Sequence, residues 1–439
     1  MKNCDLIIQS DYLVTMNDQF DVIEKGAVAV SGGLIAAVGP EDEIAAAYRS
    51  DKTIGGRHTV AFPGLVNAHT HSPMVYFRGL KDDLPLRVWL EDHIWPAENR
   101  WLGHEFVADA TELACLEMLK AGITAFSDMY FYGEAIALSV KKAGMRAVIG
   151  AGILDFPSPA AATVDDYLAN AERFIGNWRG DGRIIPAVAP HAPYTCSPET
   201  MKRAKGLSER YRLPLHLHLA ETEWEVQEVL SRYGMRPVEL LNHHRILDNT
   251  VIAAHCVWAT DDEIGMLARS GTNVVHCIES NLKLASGIAP VVKMLASGVN
   301  VAFGTDGAAS NNDLDIMSEM ATAAKVHKAV SGDPTVLNAA QAMRMATRSG
   351  AGALGIGEKT GSIEAGKSAD IVIAGLNRPH LMPLYDIYSH LVYSMKSSDV
   401  SDVMVEGRLL IEEGRPVALD EGAIVEKARY WGNRIREKA

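Results

Sequence analysis

Cysteine is scarce in this chain of 439 residues. Cys4, Cys115, Cys196, Cys256 and Cys277 are scattered, odd in number and never spaced as CxxC. That excludes a cysteine-rich zinc site and points to reduced thiols, not to a disulfide framework. Positive charge is in deficit, with 42 Lys+Arg against 55 Asp+Glu and a net charge of −13. Without a basic footprint, a nucleic-acid polymer is excluded as partner. No apolar run reaches the roughly 18 residues of a membrane span, and Met1-Lys2-Asn3-Cys4-Asp5 opens without an apolar signal region. The expected location is cytoplasmic, with no membrane partner. A glycine-rich dinucleotide fingerprint is also missing, since Pro63-Gly64-Leu65-Val66-Asn67 does not supply it. What is present, 48% hydrophobic and 22% charged residues, suits a soluble protein with a sizeable core.

The two ends share one texture. Asp5 to Ile8, Tyr12 to Met16, Ala27 to Ser31 and Leu34 to Val38 read as short strands broken by turn signals, as do Asp370 to Ala374 and Val400 to Val405. They predict a small composite β-sandwich made from both termini (1–60 and 365–439), ending in a helix from about Glu421 to Lys438. Between them, strand-like runs alternate with helical segments: Ala61–Val66, Ile123–Ser127, Ala147–Gly150, Ile184–Val188, Leu215–Leu219, Val251–Ala254, Asn273–Val275 and Asn300–Phe303. Eight such units predict an α/β fold, a (β/α)₈ TIM-like barrel over 61–364.

Active sites of such barrels lie at the C-terminal strand ends. Seven of the 15 histidines fall there: His69, His71, His191, His216, His218, His255 and His276. His69 and His71 are two apart and face the same way on an extended strand. With His218 and Asp306 they make a three-nitrogen, one-oxygen ligand set suited to Zn²⁺, with Fe²⁺ or Mn²⁺ as alternatives. Glu221, three residues past His218, is placed to take a proton from a water that the metal acidifies. His255 and Asp306 are placed to orient that water and stabilise charge. His216 lies one layer deeper and reads as a core histidine with an internal hydrogen bond. His276 is read equally as a substrate contact or a structural residue.

These residues resemble the amidohydrolase superfamily. The resemblance opens at Pro63-Gly64-Leu65-Val66-Asn67-Ala68-His69-Thr70-His71 and continues through His218-Leu219-Ala220-Glu221, His255, Ser280 to Gly287, Gly304 to Asn312 and Glu364 to Asp370. Within the superfamily, Trp95-Pro96-Ala97-Glu98 and Pro190-His191-Ala192-Pro193-Tyr194 are most similar to the 5-methylthioadenosine/S-adenosylhomocysteine deaminases. The resemblance implies that Glu98 binds the ribose hydroxyls and His191 the purine ring. Trp89 and Trp95 become candidate pocket walls, and Ser310 a candidate substrate contact. It implies hydrolytic deamination at C6, with Glu221 moving the water proton toward N1, and a homo-oligomer, dimer or tetramer. Two-metal relatives carry a lysine at the end of strand four; Ala189-Pro190-His191-Ala192-Pro193 has none, so one metal ion per subunit is expected. Members acting on S-adenosylhomocysteine place arginines after strand three. Ala147 to Glu172 holds no Lys or Arg, so an uncharged 5′ group such as methylthio is expected, because a buried carboxylate without a cation is costly. Arg146, Arg173, Arg179 or a partner subunit are the other sources of a cation, with S-adenosylhomocysteine or adenosine as further substrates. The alternatives are a guanine/8-oxoguanine deaminase, a triazine hydrolase, or a non-catalytic metal-dependent binding protein.

Overall fold

A computed structural model describes residues 1–437. Apart from a two-residue pair at Lys2–Asn3 and Tyr48–Arg49, the first strands are β1 (Leu6–Val14), β2 (Val22–Ser31), β3 (Leu34–Pro40) and β4 (Thr53–Pro63). The middle of the chain carries β5 (Leu65–Thr70), β6 (Ile123–Tyr130), β7 (Arg146–Ile153), β8 (Ile184–Pro190), β9 (Leu215–Leu219), β10 (Val251–His255), β11 (Asn273–His276) and β12 (Val301–Phe303). The last are β13 (Ile371–Gly375), β14 (Val400–Val405), β15 (Arg408–Glu412) and β16 (Arg415–Pro416). Three helices matter below: α1 (Trp95–Trp101), α2 (Glu223–Tyr233) and α3 (Glu421–Arg436). The helix expected to reach Lys438 thus ends at Arg436, and Lys438 lies outside the described residues.

By compactness the chain forms two units. One comprises Met1–Asn67, Leu116–Ala125 and Asp315–Leu419; the other Ala68–Cys115, Phe126–Leu314 and the chain from Asp420 onward. In the first unit both termini contribute to one eight-stranded sheet, in the order β16-β15-β14-β13-β4-β1-β2-β3. The period of two sorts its side chains. Leu6, Ile8, Val28 and Val30 join Ile371 and Ile373 in one core. Ile7, Ala27 and Ala29 pack with Ile44 in another.

The other eight strands follow in the order β12-β11-β10-β9-β8-β7-β6-β5, and the pairs from β7 to β12 are parallel. The sheet curls until its ends nearly meet. Asp306 N donates to His69 O at 3.0 Å, and a Cβ on Gly304 would lie 2.8 Å from His69 N. This is the expected eight-stranded barrel with intervening helices. Its first strand begins later than the sequence suggests. Ala61–Pro63 belongs to β4, pairing with β13, and the barrel strand starts at Leu65. Gly64 separates the two, because a Cβ there would lie 2.0 Å from Thr124 Oγ1. Apolar runs on both sides of Gly64 read as one strand when only hydrophobicity is counted.

In the second unit, α3 is anchored on Asp109, which accepts from Lys427 Nζ at 2.5 Å and from Trp431 Nε1 at 3.0 Å. All five cysteines are free. No described helix is long and apolar enough to cross a membrane.

Candidate active site

Alternation along Leu215-His216-Leu217-His218-Leu219 sends both β9 histidines to one face and the leucines to the other. His69 and His71 arrive from the end of β5, and Asp306 from the turn after β12. The ligand atoms of His69, His71, His218 and Asp306 all lie within 4.8 Å of one another. Asp306 Oδ1 is 3.4 Å from His69 Nε2 and 3.2 Å from His71 Nε2. His218 Nε2 is 3.3 Å from His71 Nε2.

The outer nitrogens explain why the inner ones converge. His71 Nδ1 faces Met129 O at 2.5 Å, and His218 Nδ1 faces His191 O at 3.0 Å. A carbonyl only accepts, so both rings hold a proton on Nδ1 and turn Nε2 inward. His69 Nδ1 pairs with His216 Nε2 at 2.8 Å, and His216 Nδ1 with Ser127 Oγ at 3.0 Å. His216 is therefore buried with an internal hydrogen bond at each nitrogen, one of them to His69. Burial holds the imidazole of His69 down to about 4 and that of His218 well below its usual value, so both rings stay neutral. His69 Nε2 is buried without a hydrogen-bond partner. Three inward-facing imidazole nitrogens and a carboxylate oxygen, one of the nitrogens otherwise orphaned, fit a divalent cation.

Asp306 is held in turn. Ser280 Oγ and Ser310 Oγ each donate to its Oδ2 at 2.7 Å, which leaves Oδ1 facing the histidines. Ser310, read from sequence as a substrate contact, thus spends its hydroxyl on Asp306 while still lining the cavity.

Glu221 is buried, with Oε2 3.7 Å from His255 Nε2. Burial first, and the charge of Asp306 second, push its carboxyl up to about 8. Asn281 Nδ2 lies 3.0 Å from His255 Nδ1 and fixes that ring. The turn that carries Glu221 is clamped: Glu225, in the first turn of α2, accepts from Ala220 N at 2.9 Å and Glu221 N at 2.8 Å. Ala220 is left-handed at φ 50°, so the clamp holds a conformation that costs an L-residue free energy. Sequence reasoning missed Glu225 and Tyr130, and placed Ser280 and Asn281 in a motif without giving either a role. Glu225 follows Thr222, which caps α2, so it looks like an ordinary first-turn acid.

A cavity of about 290 Å³ opens on these groups, and Glu98, His191, Trp89 and Trp95 all line it. Glu98, on α1, is buried and accepts from Tyr130 Oη at 2.5 Å. Burial raises its carboxyl to about 7. His191 Nδ1 lies 2.9 Å from Thr195 Oγ1. Trp95 packs on Phe156 with ring centroids 5.3 Å apart, and Trp89 Nε1 donates to Lys81 O at 3.0 Å. Among the described residues, no Lys or Arg lines this cavity, and His276 does not reach it. Arg173 lines a different cavity beside Asn170, and the guanidinium of Arg179 sits over Tyr211.

Comparison with known proteins gives concordant results. The model of the amidohydrolase family matches residues 60–410, and that of an imidazolonepropionase-like composite domain matches residues 26–49. A 5-methylthioadenosine/S-adenosylhomocysteine deaminase of Thermodesulfovibrio yellowstonii is 51% identical over 432 residues, 98% of each chain. A 5′-deoxyadenosine deaminase of Methanosarcina acetivorans is 44% identical over 437 residues, 99% of each chain. Among solved structures, an adenosine deaminase from Xanthomonas campestris with bound zinc superposes with a TM-score of 0.98 at 44% identity, covering 99% of both chains.

Proposed function

This chain belongs to the amidohydrolase family, and we propose that it hydrolytically deaminates an adenosine-type nucleoside at C6, with 5′-methylthioadenosine as the preferred substrate. The observation that carries the reading is a single cavity. It holds Glu221 beside the His69, His71, His218 and Asp306 donor set, and Glu98 among its other lining residues. Those four donors would hold one divalent cation, and zinc is the candidate because the Xanthomonas campestris neighbour binds it. When bound, the ion supplies a Lewis acid that makes a water more acidic.

The chain's own residues carry the rest. The water oxygen bonds to C6, while Glu221 accepts the water proton and delivers it to N1. The proton left on the attacking oxygen passes to the amino group, the C6–amino bond breaks, ammonia leaves and the C6 carbonyl of the hypoxanthine nucleoside remains. A carboxyl pushed up to about 8 is suited to taking and returning a proton near neutrality. His255 Nε2, on the Glu221 side, stabilises the charge that develops on the attacking oxygen. Glu98 accepts hydrogen bonds from the ribose diol, His191 meets the purine ring, and Trp89 and Trp95 wall the cavity.

The absence of any described Lys or Arg from the lining supports an uncharged 5′ group, either methylthio or the plain 5′-deoxy group. A guanine or triazine substrate offers no diol to Glu98. A protein that only binds has no use for Glu221 as a proton carrier. The test is ammonia release from 5′-methylthioadenosine, 5′-deoxyadenosine, adenosine, S-adenosylhomocysteine and guanine with zinc-loaded protein. Equal kcat/KM for S-adenosylhomocysteine and methylthioadenosine would contradict the uncharged 5′ group.

A further inference from the structure

Glu98 is a carboxylate on a short helix, and the group that ties it down comes from the barrel. Tyr130 is the last residue of β6 and is buried. Its Oη donates to Glu98 Oε1 at 2.5 Å, while its ring lies beside His71 with centroids 6.1 Å apart. The helix it holds follows a π-helical turn over Leu90–Ile94 and spans only Trp95–Trp101. A strand end is the stiffer support, and a site is most exact where its groups rest on such elements.

The geometry of the bond matters for the ligand. An ionised carboxylate has about four acceptor positions on two oxygens. The phenol occupies one on Oε1 and blocks rotation of the carboxylate about its last torsion. Oε2 and the second position on Oε1 remain for two donors at adjacent carbons. We propose that Tyr130 is a specificity-determining positioning residue, which fixes the Glu98 carboxylate in the orientation that accepts both hydroxyls of a ribose 2′,3′-diol. The inference rests on the nucleoside reading given above. It adds that discrimination for the diol belongs to the pair, not to Glu98 alone.

The test compares 5′-methylthioadenosine with its 2′,3′-dideoxy analogue in wild type, Tyr130→Phe, Glu98→Ala and the double variant. Loss of one charge-assisted hydrogen bond raises KM for methylthioadenosine about tenfold in Tyr130→Phe, with kcat within about twofold. KM for the dideoxy analogue stays within about twofold, as it has no diol to lose. In the Glu98→Ala background, adding Tyr130→Phe changes neither substrate further, because Tyr130 acts through the carboxylate. The double variant leaves no buried carboxylate unpaired, so it gives a folded comparison even where Tyr130→Phe alone is unstable. Equal loss on both substrates, or losses that multiply in the double variant, would overturn the assignment. A wild type that releases ammonia from neither nucleoside overturns the functional reading itself, and the two failures are thereby told apart.

Discussion

Three histidines that end on Met129 O, His191 O and His216 Nε2 have each been aimed by an outer partner before any ligand arrives. At the scale of the residue, His69, His71, His218, Asp306 and Glu221 were legible in the sequence because strand alternation and strand ends dictate where such side chains point. The groups that aim them were not legible. Ser280, Asn281, Glu225 and Tyr130 act through bonds that only the folded chain brings within reach. Glu221→Gln keeps the shape but cannot accept the proton. It should lower kcat by about 10²–10⁴-fold while zinc content by metal analysis stays near wild type. Glu98 gives a pH test with a definite sign. Burial raises its carboxyl from the usual 4.5 to about 7. Below that value it is protonated in the fold and loses acceptor capacity, so KM for methylthioadenosine rises as pH falls through about 7, while the dideoxy analogue shows no such rise. The same shift makes the folded state hold a proton that the unfolded chain has released, so this group's contribution to stability falls as pH climbs from 4.5 to about 7.

At the scale of the element, the barrel strands were legible from their spacing, but the start of the first was not. Hydrophobicity runs unbroken across Ala61–Phe62 and Leu65–Val66, whereas the break is steric and sits at Gly64 against Thr124. Gly304 is the matching close approach at the other end of the barrel sheet, where a Cβ would also meet His69 Cβ at 2.9 Å. Gly304→Ala should therefore destabilise by about 1–3 kcal/mol, as overpacked sites do, and lower zinc content as well, since it displaces the β5 end that carries His69. Thermal melting read together with metal analysis checks both. The turn after β9 depends on Glu225 in the same way. Glu225→Gln replaces one acceptor oxygen with a donor that faces an amide N–H. It should lower kcat about tenfold or more with KM little changed, because it disturbs the base and not the binding groups.

At the scale of the whole molecule, a net charge of −13 disfavours a polyanionic partner and leaves the site to provide its own positive charge. The donor set would do so by holding a cation, and binding to the folded state alone would stabilise it by about 2.7 kcal/mol at 100 times Kd. Chelation should accordingly lower Tm as well as abolish turnover, and added zinc should restore both. On the proposed function, the cavity lining, without Lys or Arg among the described residues, predicts a nucleoside with an uncharged 5′ end. The most direct measurement is ammonia release by zinc-loaded protein from 5′-methylthioadenosine beside guanine. The account predicts one ammonia and one 5′-methylthioinosine per methylthioadenosine consumed, and no ammonia from guanine. Ammonia from guanine with none from methylthioadenosine would contradict it.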